Sequence, residues 1–574
     1  SRGGVCCQES NMNANAIQAG LFVIAVALLV KPVGAYLERV FERRRTLLDP
    51  LLVPLERLIH RLMGIDPKTE MDWKGYSLAF GVFGAVNIIL LYFALCWQAF
   101  LPWFFPKVMT TQMTPDLAAN TAVSFATTTT WQAYAGETTM SYLSQLLLAG
   151  QNFLAGAAGL AVGVAFVRGY ARERTTHLGN FWIDLIRAVL WVLLPVSLIG
   201  SLFLIAQGVP MNFKPYTVAH TVEGGMQIIA QGPVAALEFV KNLGTNGGGF
   251  FNANGAHPFE NPTPLTNFVE LLAIVVIPAA FTHTFGRMVG RPRDGWVMFW
   301  TMTALFIVGL LVCNWAETST HPTLANHVVG GNMEGKEVRF GTGASALAAV
   351  VTSNGATGSY NSMVDSFQPL GIAVPLLNML IGEIVYGGLG TGLYSMIFIA
   401  LLALFVGGLM IGRTPEHLGK QIGPPEIKII ALYTLIAPVT VLALTALAVV
   451  TKAGLAGLTT NTGPHGFTEI LFAYASAFAN NGQSMAGLSA NNIFYNTTTM
   501  IAMLTGRYAL AVLALSLAGR FAAMSRRPPS PGTMPSDGFV FGVLLAGTAL
   551  LLGALNFLPA LALGPIVEHF SIHS

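Results

Sequence analysis

The sequence predicts an all-α polytopic membrane protein: four pseudo-symmetric membrane–pore–membrane repeats, two flanking helices and about ten spans. Three observations lead there. First, the 574 residues are 53% hydrophobic and only 10% charged, with a mean hydropathy of +0.60, where a soluble domain carries roughly 25% charged residues. Second, four similar loops rich in Thr, Asn, Ser and Gly recur at near-equal spacing. Third, basic residues gather in alternate connections.

Spanning a bilayer takes about 20 apolar residues. Ten stretches qualify, near 16–36, 78–100, 139–167, 182–206, 265–286, 296–315, 371–411, 428–451, 498–522 and 538–560. With the N-terminus outside, the region 31–77 is cytoplasmic and holds nine Lys/Arg, including Arg43, Arg44 and Arg45. Each later inside connection adds three, so 21 of the 30 basic residues fall inside. This is the positive-inside bias, and it places both termini outside. The stretch 371–411 is the ambiguous one. As one helix it would reach about 60 Å, and as two it would invert every later basic loop. A single span interrupted at Gly387-Gly388-Leu389-Gly390-Thr391-Gly392 reconciles both. Non-helical backbone at that depth must be shielded by protein or line a wet cavity, so a glycine-rich in-membrane gating loop (Gly387, Gly388, Gly390, Gly392) is expected beneath the filter.

The repeated loops are Thr127–Thr130, Thr245-Asn246-Gly247, Ser353-Asn354-Gly355 and Asn480-Asn481-Gly482. Aligned on Thr128, Asn246, Asn354 and Asn481, they lie 118, 108 and 127 residues apart. Each follows a short apolar stretch (116–126, 234–243, 343–352, 467–478) that reads as a re-entrant pore helix. The resulting division is 1–15, an outer prefix; 16–77, the first helix and basic loop; 78–167, repeat 1; 182–286, repeat 2; 296–411, repeat 3 with the broken helix; 428–522, repeat 4; and 538–574, the last helix and tail. Met12 is a plausible start within a prefix unlike the rest of the chain.

Dehydrating a cation requires replacement oxygens, which backbone carbonyls supply without fixed charge. Glycine admits the φ > 0 conformations that turn successive carbonyls toward one axis, and a pore helix points its partially negative end at the loop. Small residues also pack membrane helices, but four copies on one side after non-spanning stretches favour a filter. Ionisable residues in spans are costly and usually face a cavity. Glu383 and Arg507, close enough to pair, and Arg413 at the inner end of the broken helix are therefore placed on a polar path below the filter. Glu137 and Glu260 follow the first two filters, either drawing cations to the outer mouth or capping loops, and His257 and His465 read as structural. Cys6, Cys7, Cys96 and Cys313 show neither disulfide nor metal-site spacing. There is no Gly-x-x-x-x-Gly-Lys-Ser/Thr loop and no Asp-Lys-Thr-Gly phosphorylation motif. Uphill transport by this chain would need a partner that hydrolyses ATP.

Gly244-Thr-Asn-Gly-Gly-Gly-Phe-Phe-Asn-Ala-Asn254 and His257-Pro-Phe-Glu-Asn-Pro262 resemble the KdpA family, the potassium-binding subunits of bacterial Kdp potassium-transporting ATPases. Asn332–Glu337, Gly412–Glu416, Trp131-Gln132, Gly136-Glu137 and Gly463–Phe467 resemble it too, and the similarity runs from about Met12 to the C-terminus. The resemblance implies a fold akin to potassium channels and Trk-type transporters, K+ as the transported ion, no nucleotide bound by this chain, and a bacterial inner-membrane complex with the ATPase subunit KdpB, KdpC and KdpF. It adds Gln132 to the filter and implies that ions leave sideways, past Glu383, Arg413 and Arg507, toward the pump subunit. The third-repeat stretch Ser353–Thr357 departs somewhat from the family form. The alternatives are a self-contained potassium channel or secondary transporter, and a non-conducting scaffold.

Overall fold

Ten helices of the computed structural model are long and apolar enough to cross a membrane; residues 2–100, 109–319, 331–410, 412, 415–528 and 533–573 are described. In chain order they are span 1 (Asn15–Phe41), span 2 (Trp73–Cys96), span 3 (Tyr142–Ala171), span 4 (Phe181–Ala206) and span 5 (Pro264–Met288). Then follow span 6 (Pro292–Thr318), span 7 (Thr391–Met410), span 8 (Pro424–Val450), span 9 (Ile493–Ala523) and span 10 (Phe539–Ile572). Local chemistry sets where they begin. Asp72, Ser141, Thr263 and Asn492 each cap a span N-terminus through the side chain, accepting from Gly75, Ser144, Thr266 and Tyr495. These bonds satisfy donors that a helix start leaves unpaired.

Four shorter helices dip between spans: Pro115–Ala126, Val234–Leu243, Gly341–Asn354 and Gly463–Ala479, here pore helices 1 to 4. Each lies between an even-numbered span and the next odd-numbered one, giving four units of span, pore helix, loop and span. Burial differs among these spans. In spans 3, 5 and 7 the most apolar windows are 89, 72 and 67% buried, against 22% in spans 2 and 8. Spans 3, 5 and 7 therefore line the inside of the fold and spans 2 and 8 face outward, while spans 4, 6 and 9 are intermediate at 44%. Spans 1 and 10 are additions to this ring. Span 1 packs on span 5, where Thr284 donates to the Gly34 carbonyl at 3.0 Å. Span 10 packs on spans 6 and 7.

The interrupted helix is present, with its break earlier than expected. The segment Pro369–Leu380 is helical, residues 381–390 are not, and Thr391 and Gly392 already begin span 7. Five of the ten break residues (Gly382, Glu383, Tyr386, Gly388, Gly390) have positive φ. The loop is enclosed by protein: Gly390 lies against the backbone of Gly159 and Gly163 in span 3, which meets the requirement for irregular backbone at membrane depth. Arg507 sits in a π-helical segment, Thr505–Ala509, within span 9, a distortion common at functional positions.

Candidate functional site

After each pore helix the backbone takes the same unusual path. Residues in the left-handed region occur in pairs two apart: Thr128 and Thr130, Thr245 and Gly247, Ala356 and Gly358, Asn480 and Gly482. The middle residues are Thr129, Asn246, Thr357 and Asn481. In three repeats the amide of the middle residue bonds back five residues: Asn246 to Lys241, Thr357 to Thr352 and Asn481 to Ser476, at 2.9, 3.2 and 3.0 Å. In repeat 1 the corresponding closure runs from Thr130 to Ser124 at 3.1 Å.

This pattern corrects the register in two repeats. Ser353 and Asn354 form the last turn of pore helix 3 and Gly355 is its cap; the loop proper is Ala356-Thr357-Gly358. In repeat 1 the middle residue is Thr129 rather than Thr128, and Thr127 caps pore helix 1. The sequence alignment failed because Ser353-Asn354-Gly355 copies the letters of the other loops three residues early. Position relative to the helix end, rather than composition, decides which residues take the left-handed turn. The Thr-Gly pair at 357–358 was the available signal.

The four loops close into a ring in chain order. A Cβ on Gly247 would overlap the Thr357 carbonyl, one on Gly358 the Asn481 carbonyl, and one on Gly482 the Thr129 carbonyl. The fourth junction has a threonine in the glycine position, and the Thr130 hydroxyl donates to the Asn246 carbonyl. Two cavities meet this ring. The outer one, ≈ 670 Å³, reaches Thr130, Gly248, Gly358 and Gly482. The inner one, ≈ 20 Å³, reaches Thr128, Thr245, Ala356 and Asn480, and holds about one water-sized sphere. Only about three residues of backbone separate the two.

Side chains brace the ring from behind. Gln132 clamps loop 2, accepting from the Gly249 amide at 2.9 Å and donating to the Gly249 carbonyl at 3.1 Å. With its amide nitrogen turned toward acceptors, Asn246 donates to Asn152 and Gly244 carbonyls at 2.9 and 3.1 Å. Asn480 donates to the Thr129 hydroxyl at 2.9 Å, and Asn481 to the Thr352 carbonyl at 3.0 Å and to Glu383 at 2.7 Å. Behind loop 2, the fully buried Lys241 contacts Glu238 at 2.6 Å, Glu260 at 3.0 Å and Asn254 at 2.7 Å. Glu260 accepts from the Phe251 amide at 2.8 Å and Asn254 donates to the Gly248 carbonyl at 2.7 Å. Glu260 thus fixes the loop from inside, and Glu137 accepts from the Asn252 amide at 2.8 Å. Both acids cap backbone. The sequence reading missed Lys241 and Glu238, which look like an ordinary i,i+3 pair on a short amphipathic helix.

Beneath the ring, the expected Glu383–Arg507 pair is absent among the described residues. Glu383 points behind the loop, onto Asn481. Arg507 lines the inner cavity, donates to the Ala155 carbonyl at 2.8 Å and lies 5.5 Å from the Phe80 ring. Glu383 is turned to loop 4 and Arg507 to span 3, which sequence separation could not reveal. Arg413 lies outside the described residues. Gly388 and Leu389 close the cavity floor, tied upward by bonds from the Leu389 amide to the Thr245 hydroxyl at 3.1 Å and from the Gly388 amide to the Gly355 carbonyl at 3.3 Å. Gly387 and Gly392 pack on each other at the end of that loop. His257 stacks on Phe251 with ring centroids 3.7 Å apart, and His465 bridges Asp365 and Glu568 at 3.0 and 2.7 Å.

The chain is similar over nearly its whole length to proteins named "potassium-transporting ATPase potassium-binding subunit". A protein of that name from Methylorubrum extorquens is 52% identical over 557 residues, 97% of each chain. That from Granulibacter bethesdensis is 51% identical over 560 residues, covering 97% of this chain and 98% of its own. That from Rhodopseudomonas palustris is 49% identical over 557 residues, with the same coverage. Among solved structures, the potassium transporter TrkH from Vibrio parahaemolyticus matches 91% of this chain and all of its own with a TM-score of 0.51. At 13% identity that likeness speaks to the fold, which is Trk-like. The profile of the KdpA family, potassium-transporting ATPase A subunits, matches residues 20–570, and this chain belongs to that family.

Proposed function

We propose that the chain is the potassium-binding, potassium-selecting subunit of an ATP-driven import complex, and that the four-loop ring is its selectivity filter. The observation that carries this reading is the paired left-handed conformation, repeated four times around one axis between two cavities. It aims uncharged carbonyl oxygens at a shared axis, the arrangement that replaces an ion's hydration shell. The filter residues are Thr127–Thr130, Thr245–Gly247, Asn480–Gly482 and, in repeat 3, Ala356–Gly358 with Ser353–Gly355 behind them; Gln132 holds loops 1 and 2 together.

A straight exit is unfavourable. The Gly387–Gly392 region blocks the axis, and Arg507 places a cation at the cavity below the filter. Thr391, Asn480 and Gly506 line both that cavity and a lateral one of ≈ 80 Å³, which also reaches Glu383, Tyr433 and Asn556. The ion therefore leaves sideways, between spans 7, 8, 9 and 10, toward an ATPase partner. In the Kdp reading that partner is KdpB, with KdpC and KdpF completing the inner-membrane complex. This chain then contributes selection and its partner the energy.

Potassium-stimulated ATP hydrolysis by the purified complex tests the assignment, wild type against Gly247→Asp. Wild type should respond to low potassium and not to sodium. The variant, with a side chain driven into the Thr357 carbonyl, should need at least about tenfold more potassium, ~1.4 kcal/mol of lost binding, or lose discrimination. Unchanged stimulation and ion preference would remove the filter assignment.

A further inference from the structure

We propose that the short helix between spans 1 and 2, Asp49–Met63, is a docking site for an anionic phospholipid in the leaflet opposite the filter loops. Three faces of this helix differ in chemistry. Leu52, Glu56 and His60 are buried against the protein. Leu51, Leu55, Leu58 and Leu62 are 74, 40, 53 and 76% exposed, and their i, i+4, i+7, i+11 spacing puts them on one stripe. Arg57 and Arg61 are exposed on the third face, with no carboxylate partner among the described residues.

The depth of the helix is pinned by span 4. Asp49 accepts from the Trp191 indole at 3.0 Å, and Glu56 pairs with Arg187 at 2.7 Å. Arg187 and Trp191 lie six and ten residues into span 4, about 9 and 15 Å along its axis. A helix held at that level cannot leave its leucine stripe in water; the stripe meets acyl chains. The arginine edge, about a third of a turn away, then faces the headgroups. Arg45 is exposed just before the helix, on the arginine-rich side that the positive-inside bias assigns to the cytoplasm. An apolar stripe beside a basic edge is the pattern of interfacial helices that bind anionic lipid.

Purified full-length chain in mixed micelles supplies the test, with phosphatidylglycerol or phosphatidylcholine added and bound lipid counted by native mass spectrometry. Wild type should retain phosphatidylglycerol preferentially. Arg57→Gln/Arg61→Gln should weaken that retention roughly tenfold to thirtyfold with the melting temperature in phosphatidylcholine unchanged. Arg174→Gln/Arg293→Gln, an equal loss of exposed charge elsewhere on the same face, should leave it intact. Soluble glycerol phosphate should not compete, since the acyl chains contribute through the leucines. Equal retention by both double variants, or full competition by glycerol phosphate, would overturn the proposal. So would efficient crosslinking of a Leu58→Cys variant to a protein in native membranes, which would make the stripe a subunit interface instead.

Discussion

Gly358 and Gly355 are three residues apart and make opposite demands. Gly358 has φ +68° and lies against the Asn481 carbonyl, whereas Gly355 has φ −76° and its nearest neighbour is the movable Ile274 side chain, with the Val351 carbonyl 3.0 Å from where a Cβ would sit. Replacing Gly358 with Ala costs about 1–2 kcal/mol in backbone strain alone and displaces the Asn481 carbonyl, which belongs to the proposed filter. Apparent potassium affinity should fall about tenfold or more, while Gly355→Ala should change it by less than about threefold. Potassium titration of ATPase stimulation in the two variants checks the register directly, and the reverse ranking would restore the Ser353–Gly355 alignment. Lys241 poses a different problem. It is fully buried between Glu238 and Glu260, so removing it strands buried carboxylates. Lys241→Met should destabilise the protein by about 3–5 kcal/mol and loosen loop 2, seen as a lowered Tm.

Among the elements, an ionic contact fastens the C-terminal segment to pore helix 4. His465, at the outer end of pore helix 4, bridges Asp365 in the repeat 3 loop and Glu568 near the C-terminus. Burial lowers the affinity of the imidazole for a proton, but the hydrogen bonds it donates to the Asp365 and Glu568 carboxylates outweigh it and raise the pKa from 6.5 to about 10. A folded-state pKa above the unfolded value stabilises fully below about 6.5, and that contribution is lost as pH rises through about 10. Glu568→Gln should therefore lower Tm near neutral pH, by an amount worth at most about 1 kcal/mol for a partly solvated pair. The gap from wild type should narrow as the pH approaches about 10.5. A gap independent of pH would mean that Glu568 acts through packing.

For the whole molecule, four similar units bring four distant stretches of chain into one ring, the proposed potassium site. Binding there should stabilise the folded protein by linkage: potassium at about 100 times its Kd adds ~2.7 kcal/mol, and sodium at the same concentration much less. Thermal unfolding of the isolated chain in detergent, with either salt at constant ionic strength, measures this without any partner. An identical Tm in both salts would argue against selection by this chain. The same preparation without its partners should not hydrolyse ATP.

Hydropathy and charge bias were enough to locate the ten spans, to within several residues except at the C-terminal end of span 10, along with the four pore helices and the broken seventh helix. These features depend on the solvent each segment must meet, and every residue votes on them. In repeats 2 and 4 the left-handed turn was legible because Asn-Gly happens to fall at the turning point. Repeat 3 was not, since the end of pore helix 3 comes three residues later than its letters suggest. The buried Lys241 cluster, the separation of Glu383 from Arg507 and the closure of the ring depended on contacts between residues up to several hundred positions apart. Solvent preference is a property of a segment and is written locally. Which carbonyl faces which neighbour is fixed only when helices pack, because a shift of a single residue there turns an oxygen away from the axis without changing the segment's hydrophobicity.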